Sequence, residues 1–317
     1  MVAKRLAALV AAVLLIVGAV ALRSALDDRS STTDQPTSSS SPSGASASIT
    51  CVTDLAEFCR TAAGSAQVAT ASWTATAAAA RSGQPPEVWV TFEPIAALAA
   101  PGEVGAALAE TRLATVVRAE RAEALHAGCA GSALWACIGN AAGGAWTELG
   151  GQSGWGRLQV GFADPSTSAL AAIGVAGAAA GFFGDSAYSS REIEASDDFA
   201  GWLSRLARSV PDASMDDPLS FLITRPAISV AATTEAAVAG VSSAQAGRIA
   251  VEYPDPVAAV RVVVVTQPGA KAPGSFVATL TRALTDAGWS TPTDTDDGLP
   301  SAATTLLLAD SWKEARG

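Results

Sequence analysis

The stretch from Trp155 to Gly184, WGRLQVGFADPSTSALAAIGVAGAAAGFFG, decides how the chain is read. Leu158 to Phe162 has the apolar character of a short strand. It runs directly into Ala163-Asp164-Pro165-Ser166-Thr167-Ser168, a turn rich in hydroxyls, and then into a small-residue helix from Ala169 to Phe183. The glycines from Gly174 to Gly181 fall inside that helix, not in a strand-to-helix turn. They therefore signal close packing and not a dinucleotide fingerprint. Free backbone N–H groups at a helix start, together with Ser166, Thr167 and Ser168, suit an anion or a polar head. The same hydroxyls also serve as ordinary helix caps.

The pattern occurs a second time. Ala66 to Thr70 reads as a strand, and Ser72-Trp73-Thr74 opens an alanine-rich helix ending near Arg81. Ile49–Thr53 and Glu87–Thr91 read as two further strands, with a helix from Asp54 to Ala63 between the first pair. Strand and helix thus alternate at the start of the folded part, which implies a parallel sheet with helices on its faces. Leu113–Val117 and Ala227–Ala231 are further strand candidates. Thr233, Thr234 and Glu235 look like a capped helix start. Val260 to Thr266 (VRVVVVT) is apolar on both faces and so belongs in the centre of a sheet. Asp197–Arg208 and Pro273–Ala287 read as amphipathic helices.

Composition excludes more than it names. Lys plus Arg is 20 against 30 for Asp plus Glu, a net charge of −10, which argues against nucleic-acid binding. The single histidine, His126, rules out a His-rich metal site and lies in no nucleophile motif. A hydrolase, and catalysis generally, is therefore not the expected function. No cofactor is implied.

At the other end, Lys4 and Arg5 precede an uncharged run, Leu6–Leu22, closed by Arg23. This segment, 1–23, reads either as an uncleaved membrane anchor or as a cleaved signal peptide with Ala19-Val20-Ala21 at its end. Residues 24–48, Ser-rich from Ser30 to Ser48, read as a flexible stalk. The folded part is thereby expected outside the cytoplasm, anchored by one helix or secreted. Cys51, Cys59, Cys129 and Cys137 form two matched pairs with seven residues between partners. In an exported chain this spacing suggests two local disulfides, although four cysteines allow three pairings, and each short loop would contribute roughly 2–3 kcal/mol. It is wider than zinc sites usually use.

The order of segments resembles bacterial extracellular solute-binding proteins. Pro86-Glu87-Val88-Trp89-Val90 resembles one of their strands. The Trp155–Gly184 stretch resembles their strand–turn–long-helix segment, and Asp217–Val238 (DPLSFLITRPAISVAATTEAAV) their return crossover. The resemblance implies an α/β fold of the type 2 periplasmic-binding-protein kind. It has two lobes, each a mixed sheet flanked by helices, joined by two crossover strands around a cleft. By the match, 49–117 with 233–317 form one lobe and 118–232 the other.

The ligand positions it implies are Ser72, Trp73, Thr74, Ser166, Thr167 and Ser168, with Phe92, Glu93, Thr233 and Glu235 as further candidates. It implies capture of a small polar or anionic solute for an ABC-type transporter, with a membrane permease or another envelope protein as partner. The chain lacks the family's lipid-attached cysteine, its cleft positions are alanine-rich and no arginine is poised for an oxyanion. The alternative is an envelope interaction or sensor module with the same fold that has lost solute binding.

Overall fold

Three short strands rich in β-branched and apolar residues open the fold. β1 (Ile49–Val52), β2 (Val68–Ala71) and β3 (Val88–Phe92) are parallel and alternate with helices α1 (Ala56–Ala62) and α2 (Trp73–Arg81). The computed structural model describes residues 48–64, 66–99, 102–211, 215–293 and 298–317. The expected anchor or signal segment and almost all of the stalk lie outside those residues. Among the described residues no helix is long and apolar enough to cross a membrane.

After β4 (Glu103–Val104) the chain enters β5 (Ala109–Arg118), the longest strand. Helices α3 (Ala119–Gly128) and α4 (Leu134–Ala141), strand β6 (Val160–Gly161), and helices α5 (Ala169–Phe183), α6 (Asp197–Ser209) and α7 (Pro218–Thr224) follow. Then come β7 (Val230–Thr234), α8 (Glu235–Ala239), β8 (Ile249–Glu252), β9 (Ala259–Thr266), α9 (Gly274–Asp286) and α10 (Ala302–Arg316).

Strand order runs β2-β1-β3-β9-β5-β7-β6, with β4 added on β9 and β8 on β5. β9 lies between β3 and β5 and is antiparallel to both. The central position expected for Val260–Thr266 is thus where it sits, inside a mixed sheet.

β5 belongs to two sheets. Ala109–Arg112 pairs with β9, and Leu113–Arg118 pairs with β7 and β8. Two mixed sheets that share one crossover strand and are rejoined through residues 253–258 make the α/β type 2 periplasmic-binding-protein architecture. Both expected disulfides are present, Cys51–Cys59 and Cys129–Cys137.

Each sheet carries its own apolar core. The first gathers Trp73, Trp89, Phe92 and the valines of β9; the second gathers Trp135, Trp146, Phe199, Trp202 and Trp312. Helix α5 serves both. Ala169, Ala172 and Ile173 pack into the first core, while Val175 to Ala180 contribute to the second. Eleven of its fifteen residues are buried, so it is apolar all round, as a fully enclosed helix must be. Helix α10, which sequence patterning did not reveal, buries Leu308 and Trp312 in the second core and Ala309 in the first.

The crossover region is tied by charge. Arg112 on β5 makes a bidentate pair with Glu235 (2.9 and 2.5 Å) and lies 4.1 Å over the Tyr253 ring. Arg261 on β9 bridges Glu93 (3.1 Å) and Glu110 (3.2 Å). The hydrogen bond from Arg112 holds the Glu235 carboxyl below its usual 4.5, against the opposing effect of burial. Burial alone raises Glu110, but bonds from the Thr293 amide and from Arg261 reverse that, so it too lies below 4.5.

Two outcomes follow from this packing. Both carboxylates are more acidic folded than unfolded. Their stabilisation is complete above about pH 4.5 and is lost as pH falls through the folded values. Thermal melts taken down that range should show Tm dropping, with a smaller drop in Arg112→Ala, where Glu235 loses the bond that makes it more acidic. The second concerns Gly139 on α4, where an added Cβ would stand 2.0 Å from Trp202 Nε1. That indole is fully buried and donates to the Trp135 carbonyl at 3.1 Å, so it has nowhere to move. Gly139→Ala gains helix propensity of about 1 kcal/mol, yet overpacking of about 1–3 kcal/mol should outweigh it. Urea unfolding should report a net loss of stability.

Candidate functional site

The two hydroxyl-rich helix starts meet in space. Ser72 caps α2, its Oγ accepting from the Ala75 amide at 3.2 Å, and Ser168 caps α5 by accepting from Ala171 at 3.0 Å. Between them, Trp73 Nε1 donates to the Pro165 carbonyl at 2.9 Å and Thr74 Oγ1 donates to the Ser166 carbonyl at 2.7 Å. The Asp164–Ser168 turn is prepared for this contact. Ser166 N and Oγ both donate to Asp164 Oδ1, at 2.9 and 2.8 Å, and Thr167 Oγ1 donates to the Asp164 carbonyl. The carbonyls of Pro165 and Ser166 are thereby held where α2 begins.

A third partner was not foreseen from the sequence. Asp54, in the 3-10 turn after β1, lays its carboxylate on the first turn of α5. Oδ2 accepts from the Ala169 amide at 2.8 Å and Oδ1 from the Leu170 amide at 3.3 Å, and Ser168 Oγ also donates to Oδ1. The position expected to hold an anion thus holds an anion that belongs to the chain. Its signal was available, since Asp54 follows a strand and opens a helical segment, as Ser72 and Ser166 do. The Cys51–Cys59 disulfide flanks the turn on both sides and restrains it.

The remaining sequence-derived positions disperse. Trp73 is fully buried, with its ring in the first core. Phe92 is fully buried and stacks on Trp289, with centroids 6.4 Å apart. Glu93 is engaged by Arg261 and Glu235 by Arg112, with Tyr253 OH donating to Glu235 at 3.3 Å. Burial and the neighbouring Glu235 charge raise the Tyr253 pKa. Thr233 is half-buried and lines a cleft of about 170 Å³.

That cleft adjoins the Asp54–Ser168 contact. Leu113, Phe162 and Gly174 form apolar wall, and Asp54, Asp216 and Asp217 supply carboxylates. No lysine or arginine lines it among the described residues. Its volume is below the roughly 300–1,000 Å³ of drug-sized sites. Such a space suits a compact solute with hydrogen-bond donors. His126 is exposed and pairs with Glu252 at 2.9 Å, remote from the cleft lining.

No family model matches the sequence, and no curated protein matches it either. Among solved structures the chain is similar to a periplasmic thiamin binding protein, at 9% identity over 89% of this chain and 100% of that one, with a TM-score of 0.49. It is similar to the periplasmic molybdate-binding protein of Azotobacter vinelandii, at 10% identity over 78% and 100%, TM-score 0.42. It is also similar to a variant of the OxyR2 regulatory domain from Vibrio vulnificus, at 11% identity over 80% and 100%, TM-score 0.42. These are likenesses of architecture.

The Trp73 contact can be separated from the packing around it. Trp73→Phe keeps the aromatic body and loses the donor to Pro165, and should cost about 1 kcal/mol by urea unfolding. Trp73→Ala also empties the first core at this point and should cost about 3–5 kcal/mol. Equal losses for the two variants would mean that the indole N–H contributes everything and the ring nothing.

Proposed function

We propose that this chain is an extracytoplasmic solute-binding protein that takes a small polar solute into the cleft beside α5. Its lobes are read from the sheets as 49–112 with 259–317, and 113–252; residues 233–252, expected with the first lobe, go with the second because β8 pairs there with β5, and α10 packs across onto the second core. One observation carries the reading: a cleft of about 170 Å³ walled by Leu113 of the crossover strand β5, by Thr233 of β7, by Asp54 and by Phe162, Ser168 and Asp216. Asp54 follows β1 of the first sheet, whereas Leu113 and Thr233 pair within the second, so a solute there touches both lobes at once. Among the described residues the lining carries carboxylates and no basic side chain, which favours a neutral or amine-bearing solute over an oxyanion. Two disulfides fit an oxidising compartment. The partner is read as a membrane permease or another envelope protein, with the N-terminal segment holding the module near the membrane.

A second reading, an interaction or sensor module without a solute, is favoured by the direct bonds from Asp54, Trp73 and Thr74 to residues 165–170. These tie the two helix starts together with no solute between them. The two readings separate by thermal shift, because a ligand bound only by the folded state raises Tm. On the first reading, a panel of amines, amino acids and sugars should contain a compound that raises Tm saturably. Asp216→Asn, at an exposed cleft position, should weaken an amine's effect while leaving the Tm of the free protein unchanged. A panel without effect on the wild-type protein favours the second reading.

A further inference from the structure

We infer that Asp54 is a built-in carboxylate ligand, occupying the start of α5 so that the chain closes on itself without solute and external carboxylates are shut out. The inference rests on the two-lobed binding reading above but not on which solute the cleft takes. A helix start offers unpaired N–H groups and the positive end of the helix dipole, which together select a negative charge. In α5 that demand is met internally: both Asp54 oxygens are used, against two backbone amides and the Ser168 hydroxyl. Asp54 extends from the β1 end of the first sheet, and α5 follows the turn after β6 of the second. The contact therefore joins the two halves at a packed junction, where Ala169, Ala172 and Ile173 of α5 already lie in the first core.

Two neighbouring bonds run in the same direction, from Trp73 and Thr74 to the carbonyls just before α5. The chain has thus placed three of its own groups where a ligand's polar atoms belong. The cleft that remains begins at Asp54 and Ser168. An incoming carboxylate meets the Asp54 charge there and finds the amides taken, whereas an amine meets an attractive wall. Asp54 thereby sets closure and selectivity together, through one side chain.

Chemical rescue of the full chain tests this. Acetate is the Asp side chain cut free of the backbone, so it should refill the site in Asp54→Ala. That variant should melt about 4–8 °C below wild type in sodium chloride. It should regain much of the loss, saturably, in sodium acetate of equal ionic strength. Asp54→Asn fills the same space without the charge. It should be destabilised but not rescued, and wild-type Tm should be the same in acetate and chloride.

A folded Asp54→Ala that ignores acetate overturns the inference. So does an equal acetate effect on wild type or on Asp54→Asn, or an Asp54→Asn as stable as wild type. If Asp54→Ala does not fold in chloride, its refolding yield in acetate replaces the melt: recovery supports the latch, and failure in both salts overturns it. The solute reading fails by a different result, a wild-type protein that no panel compound stabilises.

Discussion

The first turn of a helix carries amide N–H groups with no partner inside the helix, and in α5 these include the amides of Ala169 and Leu170, at a partly buried site. Leaving them unpaired there would cost free energy. The Asp54 carboxylate satisfies both, and Ser168 satisfies the next, at Ala171. Much else in the structure is arranged so that this can happen. The turn holding Asp54 is flanked by the Cys51–Cys59 disulfide, and the Asp164–Ser168 turn is braced by its own side-chain bonds. The body of α5 is alanine and glycine because it lies between two cores and has no solvent face for larger polar residues.

Closure and cleft are two sides of the same arrangement. Where the two halves meet through Asp54, Trp73 and Thr74, polar atoms are paired with one another. Beside that contact, where small residues such as Gly174 and Ala232 line α5 and β7, a modest volume stays open. Two charged clusters, Arg112 with Glu235 and Arg261 with Glu93 and Glu110, gather around β5, the strand the sheets share, through its Arg112 and Glu110. Pairing these groups removes them from the roles they would have as ligand contacts.

Parts of this were legible along the chain. The limits of Ala169–Phe183 are visible because Ser168 and Gly184 punctuate an unbroken small-residue run, with Gly184 in the left-handed conformation that suits a helix end. The central place of Val260–Thr266 follows from its two apolar faces, and the cysteine pairs follow from their matched spacing. Helix α10 escaped notice because Thr304 and Thr305, polar by type, sit on its buried face beside Leu308 and Trp312. Had they been apolar, the helical period would have stood out. The strand expected at Leu158–Phe162 shortens to Val160–Gly161, which has a single neighbour, β7, to pair with.

The sequence by itself determined the alternation of strands and helices, the two disulfide loops and the hydroxyl groups at two helix starts, because each of these is written in spacing over a few residues. Only the tertiary structure decided what those helix starts bind. A cap looks the same in sequence whether its remaining amides face water, a solute or a carboxylate more than a hundred positions away. The meeting of Asp54 with Ala169 is a long-range contact, set by how the sheets pack and not by any local preference, and it turns an expected anion site into an internal bond.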